Sequence, residues 1–165
     1  MTGKNLTTDE ITSHLVRMRV TTGAFLATVA VAAVLCFVLP QREGAASPRM
    51  VSLVAAAAAL WIGFSANRDA ERRLDKVRRA AAVHGDERRL LRDHWWVYAA
   101  ILVRLEVMVI GGVVVALWGL GPTVGVWIVL LGGVMMALSW PTMRKTQLLL
   151  GRVRALREGD EGEAR

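Results

Sequence analysis

Apolar residues gather in four runs along the chain, at 20–39, 51–66, 98–120 and 123–140, and the segments between them are rich in charge. A helix needs about 20 mostly apolar residues to cross the hydrocarbon core of a bilayer. The pattern therefore predicts an all-α integral membrane protein with four transmembrane helices arranged as two hairpins. The first run carries no charge, the third contains Arg104 and Glu106, and the fourth follows it across Gly121 and Pro122. The second is the shortest and holds five consecutive alanines at 55–59. Alanine has little affinity for lipid, so this helix is expected to pack among its neighbours.

Outside these runs the spacing of apolar positions stays helical. Ile11, Leu15 and Met18 form a stripe behind Thr8, a candidate N-cap, over an extension at 8–19. Segment 67–97 has no proline and reads as helix, turn, helix: Leu74, Val77 and Ala81 share a face, Gly85 offers a stop, Asp86 an N-cap, and Leu91 and Trp95 lead into the third run. Leu149, Val153 and Leu156 form a stripe within 141–158, and 159–165 is expected to be a disordered tail. These extensions predict a cytoplasmic antiparallel four-helix bundle continuing the membrane helices. The competing expectation is that each stripe lies on the headgroups as an interfacial helix.

Charge sets the orientation. Segments 1–19, 67–96 and 141–165 hold 3, 9 and 6 of the 21 basic residues, whereas 40–49 holds 2. Lys and Arg near spans remain on the cytoplasmic side, which predicts cytoplasmic N and C termini and a cytoplasmic central loop. Trp95, Trp96 and Trp140 then fall near the inner interface and Trp118 near the outer one, where indole rings settle. Arg17 and Arg19 flank the first run like a signal anchor, so retention is expected over cleavage near Gly44-Ala45-Ala46. Arginine outnumbers lysine 18 to 3, and Ala, Gly and Val are abundant, as a GC-rich bacterial genome would produce; the expected location is a bacterial plasma membrane. The chain is 54% apolar with a mean hydropathy of +0.39. With one cysteine, Cys36, an intramolecular disulfide and a cysteine metal cage are excluded.

Candidate chemistry is sparse. Arg104 and Glu106 are the charges within a run, and charge at membrane depth counts as a functional hypothesis by default. At i, i+2 they point about 200° apart on a helix, so each needs another partner. Arg104 is expected to snorkel to phosphate, and Glu106 to face the bundle interior, water, or a hydroxyl such as Thr21, Thr22 or Ser65. Glu106 is thus the leading candidate for an ion or proton site, with a structural carboxylate the competing reading. His94 shares a broad face with Tyr98, Leu102 and Glu106, which would permit a proton relay. His14, His84 and His94 form no i, i+4 pair, so no metal site and no cofactor are expected.

Asn67, Glu71 and Asp75 recur at four-residue steps and resemble one half of the acidic motif with which membrane prenyltransferases hold magnesium and a diphosphate. The second motif is missing and arginines interrupt the first, so a solvated, salt-bridged face is expected. The loop 67–96 sets its 9 bases against 6 acids with no aromatic residues before the membrane edge, which excludes specific nucleic-acid recognition and leaves anionic inner-leaflet phospholipids as partners. The run Leu74, Lys76, Val77, Arg78 matches Leu150, Arg152, Val153, Arg154 at an offset of 76, a hint of duplication that the other offsets do not share.

Small residues mark close packing, within the chain or between copies: Gly23, Ala27 and Ala30 in the first run, Gly111, Gly112, Gly121 and Gly125 in the later ones. The function expected from all this is a non-enzymatic membrane scaffold, adaptor or regulatory protein whose stalk binds a protein partner or further copies. A homo-oligomeric channel or small transporter using Glu106 comes second. A lipid-modifying enzyme using His94 and Glu106 comes third.

Overall fold

The computed structural model describes residues 7–39, 48–84, 87–118 and 122–163, and among them every element is helical. In chain order these are α1 (Thr8–Val38), α2 (Pro48–His84), α3 (Glu87–Leu117), α4 (Pro122–Leu138) and α5 (Met143–Glu163). Their starts follow local chemistry. At α1 the Glu10 N–H donates to Thr7 Oγ1 (3.3 Å) while the Thr7 N–H donates to a Glu10 carboxylate oxygen (3.1 Å). This is a reciprocal capping box, and it makes Thr7, not Thr8, the N-cap. Helices α2 and α4 each begin on a proline, whose fixed φ and missing N–H suit a first helical position. At α5 the Lys145 N–H donates to Thr142 Oγ1 (3.3 Å), so Thr142 is its cap.

Among the described residues two helices, α1 and α3, are long and apolar enough to cross a membrane, and a third is reached if α4 and α5 are taken as one broken span. Four spans are expected from the sequence; the described residues give two, or three with the bent pair. Helix α4 has 17 residues and stops at Leu138, and a break at 139–142 containing Pro141 separates it from α5. Proline has no N–H to continue a helical ladder. Helix α5 itself runs to Glu163, through most of the segment expected to be a disordered tail.

The chain divides into two units. The first comprises Met1–Val20, Asp69–Ala99 and Pro141–Arg165, taking segments from α1, α2, α3 and α5. Leu90, Leu149, Leu150, Val153 and Ala81 form its buried apolar cluster, with Ile11 and Val77 packed against it. Arg19 Nε donates to the Pro141 carbonyl (3.4 Å), tying α1 to the start of the α5 segment. The exposed surface of this unit carries Arg72, Arg73, Lys76 and Arg79.

The second unit comprises Thr21–Arg68 and Ala100–Trp140. Its surface is the reverse: Phe37, Trp61, Phe64, Ile110, Trp127 and Leu138 are all exposed. Leu102, Leu105 and Met108 of α3 are fully buried at its centre, and Cys36 of α1 is buried too. Apolar side chains outside and close backbone approach inside are what lipid-embedded helices show. A Cβ on Gly112 would meet the Gly125 carbonyl oxygen at 2.8 Å, one on Gly111 would meet Ala59 Cβ at 2.8 Å, and one on Gly133 would meet Val29 Cγ1 at 2.8 Å. These glycines therefore serve contacts within the chain. A Cβ on Gly23 would meet nothing within 4 Å, and Ala27 and Ala30 lie on the same helix, Ala30 exposed and Ala27 exposed. Gly121 lies outside the described residues.

Candidate functional site

The first unit has a groove of about 590 Å³ between α1 and α3 that gathers polar side chains. Ser13, His14 and Arg17 line it from α1, and Arg88, Arg92, Trp95 and Trp96 from α3. Helical spacing explains the set: 13, 14 and 17 fall on neighbouring positions of one face, as do 88, 92 and 95. At its far end Arg88 Nη2 lies 2.7 Å from Glu10, the same carboxylate that closes the capping box. The Thr7 N–H and the Arg88 guanidinium hold the Glu10 carboxyl below its ordinary value against the opposing pull of burial.

Behind the groove lining, His14 Nε2 lies 3.3 Å from His94 Nδ1, with the rings tilted at 39° and their centroids 5.6 Å apart. One of those nitrogens must carry a proton and the other must lack it, so the contact requires at least one neutral imidazole. Burial pushes His94 down to about 4, and the adjoining His14 and Arg78 push the same way. Burial, and then Arg17, also hold His14 below its ordinary value. Arg17 sits over the Trp95 ring at 5.8 Å, within cation–π range. Trp95 packs edge-on against Trp96, and its buried indole N–H has no acceptor within hydrogen-bonding distance.

In the second unit, Thr28 Oγ1 donates to Glu106 Oε2 at 2.9 Å. The sequence points instead to Thr21, Thr22 or Ser65 as partners; Thr22 is fully buried, and the Ser65 hydroxyl donates to the Ile62 carbonyl. Thr28 Oγ1 also reaches the Phe25 carbonyl at 2.6 Å. A hydroxyl has a single proton, so it serves one of these two acceptors at a time. Arg104 is half-buried. Glu106 and His94 each have a partner on α1, Thr28 and His14 respectively.

The chain matches no protein-family model, no curated protein and no solved structure. Its functional reading therefore stands on its own residues. Among the described residues no group of three or more His, Cys, Asp or Glu could hold a metal ion. On the face carrying Glu71 and Asp75, Arg78 Nη1 pairs with Asp75 at 2.9 Å; the side chains of Asn67 and His84 lie outside the described residues. Sequence reasoning missed the His14–His94 pair, although both histidines sit a few residues ahead of an apolar run. It also missed Thr28 and the Arg17–Trp95 stack, which depend on how the helices are rotated about their axes.

Proposed function

We propose that this chain is a membrane-anchored adaptor of a bacterial plasma membrane, with four spans and a cytoplasmic helical stalk that binds a protein partner or further copies. The observation that carries the reading is the buried cluster of the first unit, to which α2, α3 and α5 contribute and against which Ile11 of α1 packs. Helices lying separately on headgroups would bury their stripes in lipid; stripes packed on each other leave a charged, water-compatible surface for recognition. Four spans are supported by the exposed apolar side chains that α2 and α4 share with α1 and α3, and by the close contacts of Ala59 and Gly125 with α3. Orientation rests on the distribution of basic residues.

Gentle solubilisation from host membranes, followed by native mass measurement, tests this. The expected result is a complex heavier than one chain, containing either a stoichiometric second protein or further copies. A lone chain at monomer mass would overturn the adaptor reading. Self-association through the open Gly23 face has its own test. In Gly23→Ile the new side chain starts in open space, because nothing lies within 4 Å of the added Cβ. The variant should keep its helix content while a homo-oligomer built on this face dissociates; an intact oligomer would place the interface elsewhere.

A further inference from the structure

The groove between α1 and α3 has the chemistry of an anion site placed at a membrane surface. The residues lining it include three arginines, Arg17, Arg88 and Arg92, and one carboxylate, Glu10, which Arg88 engages at 2.7 Å. Arg92 is exposed, with Asp93 at the limit of ion pairing, 4.0 Å away. The Ser13 hydroxyl donates to the Glu10 carbonyl at 2.9 Å, which commits its proton within α1. The Trp95 ring carries the Arg17 guanidinium at 5.8 Å from its centroid.

Depth along the helices narrows the ligand. Arg17 precedes the apolar run at 20 by three residues, and Trp95 precedes the run at 98 by three, about 4.5 Å of helix axis in each case. The headgroup layer occupies roughly 5–7 Å on each side of the hydrocarbon core. Arg17 and Trp95 thus stand at the level of lipid phosphates, and Trp96, an exposed indole beside them, has the character of an interfacial anchor.

We propose that this groove binds the phosphate of an anionic phospholipid headgroup, held by Arg17 and Arg92, with the Trp95 ring supporting the Arg17 guanidinium. The second basic groove, formed by Asp75, Arg78, Arg79 and Arg152, has no aromatic residue, and Arg152 stands eleven residues beyond Pro141. It makes the natural control. The site rests on the membrane reading above and is separable from it: a chain that stays in the aqueous phase after detergent phase partitioning would overturn both, whereas a micelle-embedded chain that fails to bind overturns the site alone.

The test is native mass spectrometry of the full chain in a non-ionic detergent, titrated with short-chain phosphatidylglycerol, short-chain phosphatidylcholine or inorganic phosphate. One phosphatidylglycerol per chain should be retained, with phosphatidylcholine at least tenfold weaker and inorganic phosphate unable to displace the lipid at equal concentration. The double variant Arg17→Gln, Arg92→Gln should bind roughly thirtyfold more weakly, about five- to sixfold for each lipid-facing arginine lost. Arg152→Gln, in the second groove, should leave binding unchanged. Circular dichroism verifies that each variant is folded. Equal retention of phosphatidylcholine, displacement by inorganic phosphate, or undiminished binding by the folded double variant would each overturn the proposal.

Discussion

Gly125→Ala should destabilise the membrane unit by about 3 kcal/mol, the upper end of the usual cost of overpacking. The added Cβ would stand 2.5 Å from Ala116 Cβ, 2.5 Å from the Gly112 carbonyl oxygen and 2.9 Å from the Ala116 backbone nitrogen. Two of those three atoms are backbone, so neither a rotamer change nor a local shift of a side-chain tip relieves the clash. Helices α3 and α4 would have to separate where Gly112 and Gly125 now let their backbones meet. Gly63 provides the contrast: a Cβ there would meet the Met108 sulfur, part of a flexible thioether that can swing aside. Gly63→Ala should therefore cost much less, and Gly23→Ala, facing open space, should change stability only by what helix propensity returns. Unfolding of the three variants in mixed detergent and SDS micelles gives the order directly. Equal stability of Gly125→Ala and Gly23→Ala would show that α3 and α4 do not approach backbone to backbone.

That contrast also marks where the sequence stops being informative. Gly23, Gly111, Gly112 and Gly125 look alike as small residues in apolar runs, yet one faces outward and three sit against a neighbouring helix. The difference is set by the rotation of each helix about its axis, which a chain of nearly uniform apolar residues does not encode by periodicity. The same holds for Glu106, whose partner Thr28 lies about two turns along α1 from the expected Thr21 and Thr22. Features fixed by local chemistry are readable. The turn expected near 85–86 falls between α2, which ends at His84, and α3, which starts at Glu87, although Gly85 and Asp86 themselves lie outside the described residues. The stripes Leu74, Val77, Ala81 and Leu149, Val153 contain members of the buried cluster. The spacing Thr7-x-x-Glu10 is itself a capping-box signature, one residue ahead of the expected cap. Pro141 likewise marks the break that divides α4 from α5.

Acidification from pH 6.5 to pH 4 should destabilise the first unit by on the order of 3 kcal/mol, through His94. Its folded value of about 4 lies below the ordinary 6.5, so the unfolded chain takes up a proton over this range while the folded chain does not. The contribution is therefore fully present above pH 6.5, falls as the pH drops, and levels off once folded His94 is protonated near pH 4. His14, lowered by burial and by Arg17, acts in the same direction. Protonating both rings would also set two N–H donors against each other across the 3.3 Å contact, with Arg17 on α1 and Arg78 on α2 adding positive charge nearby. Glu10 loses its ion pair with Arg88 only as the pH falls through its own lowered value. For a chain of this size, 3 kcal/mol corresponds to a fall of roughly 6–12 °C in Tm. Thermal unfolding in detergent, followed by helical circular dichroism at stepped pH, should show that fall in the native chain. It should be mostly absent in His94→Gln, which keeps a hydrogen-bonding group but does not titrate. A native-like slope in a folded His94→Gln variant would show that the acid sensitivity arises elsewhere, and a flat profile in the native chain would show that His94 is not held neutral by its surroundings.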